Sequence, residues 1–113
     1  MLCSLETRDD VGIVRIGADI YLDNHEEFDR FLEAEVSTRF SKVVLDLAQV
    51  KAICSAGIGA IVKAHKRARE GGGEVVVINV QKKVQALLEI TRLTAVLKLL
   101  ENAEAAIRHL EGV

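Results

Sequence analysis

An α/β fold built on one mixed sheet follows from three features of the sequence. Val43, Val44, Leu45 and Leu47 form a nearly unbroken apolar run, the pattern of a strand covered on both faces. From Ile58 the period changes, with apolar or small residues at Ile58, Ile61, Val62, His65 and Ala68, the three-and-four spacing of one helix face. The same succession recurs downstream, where the β-branched run Glu74 to Ile78 precedes inward positions Val84, Leu87 and Leu88. The expected order is ββαβαβαβα, a sandwich of about four or five strands and about four helices.

Taken in order, Leu2 to Thr7 and Val11 to Ile16 read as two strands of a hairpin turning at Arg8-Asp9-Asp10, with Gly12 helping the turn. Gly17 ends the second strand. A polar turn holding Asp19, Asp23 and Asn24 leads into a helix from about His25 to Val36. Phe28, Phe31, Leu32 and Val36 share its inner face. Asp23 or Asn24 is placed to cap it, and Glu26 and Glu27 suit the positive end of its dipole. The central strand Val43 to Leu47 follows, reached by a crossover expected to be right-handed.

Cys54-Ser55-Ala56-Gly57 then forms a small-residue elbow, placing the Ser55 hydroxyl at or beside a helix start. That helix runs to about Arg69, carries Lys63, Lys66, Arg67 and Arg69 along its outer side, and stops at Gly71-Gly72-Gly73. Glu74 to Ile78 is too apolar for an edge and is expected to pair in parallel with the central strand. A helix from Gln81 to Ile90, a short strand from Val96 to Leu99 and a helix from Ala103 to Leu110 complete the pattern.

Composition narrows the function. A chain of 113 residues suits one domain over 1–113 with a single core. No apolar run approaches the roughly 20 residues of a membrane helix, and MLCSLETRDD lacks the basic flank and apolar segment of an export signal. A cytoplasmic protein with no membrane association is expected. A net charge of −2 and 4% aromatic residues leave neither electrostatic footprint nor stacking platform for direct nucleic-acid binding. Cys3 and Cys54 have no metal-ligand spacing and read as reduced thiols. His25, His65 and His109 are isolated in sequence, so neither a metal nor another cofactor is expected.

Val43 to Leu47 followed by Cys54-Ser55-Ala56-Gly57-Ile58-Gly59 resembles the signature of the STAS domain, especially that of the small bacterial anti-sigma factor antagonists. The resemblance continues through Gly72-Gly73-Glu74 and Val84-Gln85-Ala86-Leu87-Leu88-Glu89-Ile90-Thr91 and so covers nearly the whole chain. The family pattern reads Asp-Ser-Ser/Thr/Ala-Gly-Leu-Gly, and its first Ser is phosphorylated by an anti-sigma factor acting as kinase. Ser55 falls on that position. There are three departures. Cys54 replaces the usual Asp, Arg92 stands where Gly often follows the Ile-Thr pair, and the Gly-x-Leu-Asp stretch is lengthened to Gly17-Ala18-Asp19-Ile20-Tyr21-Leu22-Asp23.

The resemblance implies a non-catalytic antagonist that binds an ATP-dependent anti-sigma kinase when unphosphorylated, frees a sigma factor, is switched off at Ser55 and is reset by a serine phosphatase. A monomer or weak dimer is expected. It implies a partner surface of Asp19, Asp23, Asn24, Cys54, Ser55, Ala56, Gly57, Ile58, Gly59 and Lys63, with Asp23 the preferred match to the family's loop Asp. From the residues alone, plainer readings stand beside these. Ser55 is also a good helix N-cap, Asp19 and Asp23 are also turn residues, and the basic series reads either as a solvated helix face or as part of a docking surface for an acidic partner. Gly57 and Gly59 allow either close helix packing or the approach of a kinase. Cys54 before a helix N-terminus has the layout of a phosphotransfer enzyme, but Ala60 stands where such loops place a phosphate-clamping Arg. A further alternative is a STAS module of a lipid-transport or stressosome-like assembly.

Overall fold

The computed structural model describes residues 1–113. Its core element is a five-stranded sheet in the order β1-β2-β3-β4-β5, with β1 Cys3–Arg8, β2 Val11–Ile16, β3 Lys42–Asp46, β4 Glu74–Ile78 and β5 Lys98–Leu100. Only the β1–β2 pair is antiparallel, with Cys3 opposite Ile16 and Arg8 opposite Val11. The other pairs are parallel, and Leu45 lies between Val14 and Val77. The mixed α/β sandwich and the parallel pairing of β3 with β4 are as the sequence predicts.

The helices are α1 His25–Phe31, α2 Ser55–Glu70, α3 Lys82–Ile90 and α4 Ala103–Glu111. On one face of the sheet, Val14, Val43, Leu45, Val75 and Val77 pack in one cluster with Phe28, Ile61, Ala64, Val84 and Leu88 of the first three helices. On the other, Val11, Ile13, Val44, Val76 and Ile78 meet Ala106 and Leu110 of α4. Covered from both sides, β3 can afford no polar residue at its centre, which is why its sequence is a continuous apolar run.

Several local expectations are corrected. Gly12 lies inside β2, not in the turn. A Cβ there would stand 2.7 Å from the Phe40 ring, so the close ring requires glycine. The turn instead relies on Asp9, at φ 56. The first helix is α-helical only to Phe31 and continues as a π-helical turn over Leu32–Val36, where the Ser37 N–H donates to the Leu32 carbonyl at 2.8 Å. That wider turn suits the four-residue spacing of Phe28, Leu32 and Val36, all fully buried.

Asn24 precedes α1 but its side chain caps nothing there. The last strand begins at Lys98, because a 3₁₀ turn over Leu93–Ala95 leaves Val96 49% exposed. Nor do Lys63 and Arg67 share a free outer face with Lys66 and Arg69. They turn toward α1, with Lys63 Nζ 3.0 Å from Asp29 Oδ2 and Arg67 Nη1 3.9 Å from Glu33 Oε2. Arg67 Nε also donates to Ser37 Oγ at 3.0 Å.

Candidate functional site at the carboxyl ends of the parallel strands

The loops that follow β2, β3 and β4 share the rim formed by the carboxyl ends of these strands, the end at which open α/β sheets bind their ligands. Side chains knit the loops together. Asp19 Oδ1 accepts the backbone N–H of Lys51 at 2.6 Å and of Ala52 at 3.2 Å. Beside it, the Ile20 N–H donates to the Ala52 carbonyl at 3.0 Å and the Cys54 N–H to the Ile20 carbonyl at 2.8 Å, an isolated parallel bridge of Ile20 with Ile53. From the opposite side, Asn79 Nδ2 donates to Asp46 Oδ1 at 3.1 Å and Gln81 Nε2 to the Ala48 carbonyl at 2.9 Å. The loop from Leu47 to Cys54 is thus held from both flanks.

This bracing delivers the chain into α2. Cys54 is extended, at φ −78 and ψ 166, and occupies the N-cap, but its side chain accepts no hydrogen bond. Ser55 is therefore the first helical residue and not the cap, which corrects the plain reading of its role. It is exposed, as is Ala56. The first helical bond runs from the Ile58 N–H to the Cys54 carbonyl at 3.1 Å. No side chain caps this end of a 16-residue helix, so its positive end faces outward beside the Ser55 hydroxyl.

The remaining sequence-predicted residues fall into three groups. Gly57 and Ile58 are buried, and a Cβ on Gly57 would lie 2.8 Å from both Ile20 Cγ2 and Ile53 Cγ1. Gly57 thus lets α2 seat on the Ile20–Ile53 bridge, whereas a Cβ on Gly59 would meet nothing within 4 Å. Asp19 and Asn24 are structural partners: Asn24 Nδ2 donates to the Asp19 carbonyl at 2.9 Å and Asn24 Oδ1 accepts the Tyr21 N–H at 2.8 Å. Asp23 is exposed and Lys63 is paired with Asp29. Of the two loop aspartates, Asp19 is the one bonded to the loop that leads to Ser55.

Two titrating groups of the rim are coupled. The Lys51 N–H, the Ala52 N–H and the Tyr21 hydroxyl hold the Asp19 carboxyl below the usual carboxylate range, Lys51 contributing most. The Asp19 charge in turn raises the Tyr21 hydroxyl. Elsewhere, burial pushes the Cys3 thiol up to about 12, where it stays protonated and inert. Cys54 is half-buried and packs against the main core, and Ala60 is buried. The histidines do not meet: His25 opens α1, His65 Nδ1 accepts the Val75 N–H at 3.3 Å, and His109 Nε2 lies 2.9 Å from Glu74 Oε1.

Lys51, Asn79 and Gln81 are not legible as part of this rim, since Lys51 and Gln81 act through or on backbone atoms and Asn79 bonds to Asp46, 33 residues away. The only sequence signal was indirect: an Asp in a Gly-bounded turn that follows a buried strand.

The STAS domain family model matches residues 3–106. A Thermotoga neapolitana protein named as an anti-sigma factor antagonist is 25% identical over 105 residues, covering 92% of this chain and 93% of its own. The crystal structure of an anti-sigma factor antagonist from Thermotoga maritima superposes with a TM-score of 0.89 at 23% identity, over 96% of this chain and 94% of that one. The Bacillus cell fate determinant SpoIIAA in its phosphorylated form superposes with a TM-score of 0.73 at 13% identity, over 95% and 97%. No helix of the chain is long and apolar enough to cross a membrane.

Proposed function

Since the chain belongs to the STAS domain family, we propose that it is an anti-sigma factor antagonist whose binding of an anti-sigma factor is switched by phosphorylation of Ser55. The observation that carries this reading is the position of Ser55, exposed on the first turn of α2 at an end that no side chain caps. The name of the Thermotoga neapolitana relative supports the antagonist role. In this reading the partner is an ATP-dependent serine kinase that frees a sigma factor when captured, and a serine phosphatase restores the unmodified form. The domain itself performs no catalysis.

A phosphate on Ser55 Oγ brings close to two negative charges and three strong acceptors. Within the domain those charges lie against the positive end of α2, which tolerates them. At a partner surface fitted to a neutral hydroxyl, the same charges must be desolvated and repel any facing carboxylate, so the complex weakens while the fold persists. Asp19, Asp23, Asn24, Cys54, Ala56 and Gly59 frame the contact, and Lys63 extends it along α2. Gly57 and Ile58, being buried, act by fixing where α2 begins.

The test uses the anti-sigma kinase co-purified from the native host. Incubation with ATP is expected to add one phosphate, located on Ser55 by mass spectrometry. Ser55→Ala should bind the kinase constitutively, Ser55→Asp weakly, and Cys54→Ser should remain phosphorylatable. Absence of phosphate from Ser55, or Ser55→Asp binding as tightly as the parent, would overturn the switch.

A further inference from the structure

Between the loop after β3 and helix α3 lies a groove of about 350 Å³, lined mainly by apolar side chains that include Ile53, Val84, Leu87 and Ile90, with Lys51 and Lys83 among its walls. Ile90 closes α3 and is 78% exposed, a large aliphatic side chain held in water. A second hollow lined by Lys51, Gln81, Lys82 and Lys83 shares two residues with the first and continues it. Paired lysines in this molecule are Lys42, with Asp10, and Lys63, with Asp29. Lys51, Lys82 and Lys83, like Lys66 and Lys98, have no carboxylate within ion-pairing distance, but these three are gathered at one hollow, although acidic residues outnumber basic ones, 17 to 15. Lys82 and Lys83 also occupy the first turn of α3, where the dipole favours acidic residues. Fold stability does not ask for cations at that place, whereas a ligand of opposite charge would account for them.

We propose that this groove seats an acidic amphipathic helix of a partner protein, its apolar stripe on Leu87 and Ile90 over a floor formed by the buried Ile53 and Val84, and its carboxylates toward Lys51, Lys82 and Lys83. An apolar groove with a charged rim is read by helices carrying anchors three and four residues apart. A second copy of this chain does not supply such a helix. Its most acidic one, α1, keeps Phe28 fully buried in its own core. A membrane surface calls for a broader basic face than three lysines at a concave site. Ser55 is not among the lining residues, although Ile53 of the wall lies two residues before it.

The probe is a labelled helical peptide of about 18 residues, some five turns, with Leu at every third or fourth position and Glu on both flanks. It is titrated by fluorescence anisotropy against the Ser55→Ala variant, which separates the outcome from that of the switch, and its contact is mapped by NMR shifts. Saturable binding is expected, with the largest shifts at Ile53, Val84, Leu87 and Ile90. Lys51→Glu with Lys83→Glu should weaken it at least about tenfold, as should Ile90→Ser, whereas Arg108→Glu on α4 should leave it unchanged. Unchanged melting temperatures show that the variants fold. Failure to saturate, binding that survives the double charge reversal, or shifts centred elsewhere would overturn the proposal. So would self-association abolished by Ile90→Glu, or binding to phosphatidylserine vesicles without binding to the peptide.

Discussion

Asp19 and Lys51, 32 residues apart in sequence, are joined by a 2.6 Å bond from a backbone N–H to a carboxylate oxygen. Two segments that follow different strands are thereby made one rim. Asp19→Ala should speed amide exchange at Lys51 and Ala52, and Asp19→Asn, which keeps an acceptor, should do so less. The Asp19 carboxyl is held below its ordinary range first by this bond, so the folded chain takes up its proton less readily than the unfolded one. Its contribution is therefore complete above the unfolded value, about 3.9, and fades as pH falls through the folded one. Urea titrations toward pH 3 should show a shallower acid loss in Asp19→Asn. Parallel losses in variant and parent would contradict this.

Gly57 and Gly59 should separate sharply. Gly57→Ala drives a methyl to 2.8 Å from two branched γ-carbons and should cost about 1–3 kcal/mol through overpacking. Gly59→Ala enters open space in the same helix and should gain up to about 1 kcal/mol from helix propensity. Chemical denaturation of the two variants checks the contrast.

Much of the fold was written in hydrophobic period, and the reason is local. Leu45 sits on a strand covered on both faces, so its central positions Val43 to Leu45 have to be apolar, and the change of period at Ile58 marks the helix. What was not legible depended on contacts between elements. Val96 to Leu100 is apolar almost throughout, so nothing in the pattern marked where the 3₁₀ turn stops and β5 starts. The basic residues of α2 were readable as a series, but that Lys63 and Arg67 face Asp29 and Glu33 required knowing that α1 lies alongside. Gly57 could be recognised as a place of close approach, yet its partner Ile20 belongs to a distant loop. Asp23 reads as the better match than Asp19 for the same reason: the bonds of Asp19 are to backbone amides, which leave no trace in side-chain identity.

His65 should make the domain acid-sensitive. Burial lowers its pKa below the usual value, Arg69 adds to the effect and Glu74 opposes it. The neutral ring also accepts the Val75 N–H, a role that protonation of Nδ1 abolishes. Because the folded value lies below the unfolded one, stability is complete above about 6.5 and is lost as pH falls toward the folded value. His65→Gln should flatten that part of the stability profile. A parent whose melting temperature is constant between pH 7 and 5 would refute the assignment.

Arg92 stands just beyond α3 in the left-handed region, at φ 62 and ψ 21, the position at which helices most often place glycine. Strain of about 1–2 kcal/mol there is offset in part by the greater unfolded-state freedom of glycine. Arg92→Gly should therefore stabilise the domain by about 0.5–1 kcal/mol, read as a higher denaturation midpoint at unchanged slope.

The one antiparallel strand decides how the molecule can be tethered. Because β1 runs against β2, the Gly17 N–H donates to the Leu2 carbonyl at 2.7 Å, and the first residues lie at the rim that carries Asp19 and Ser55. The last helix ends on the other side, where His109 meets Glu74 at the start of β4. A fluorescent label or fusion joined to Met1 would crowd the loops, whereas the same group joined after Val113 leaves them in open solvent. Immobilised by its carboxyl end, the domain presents Ser55 outward.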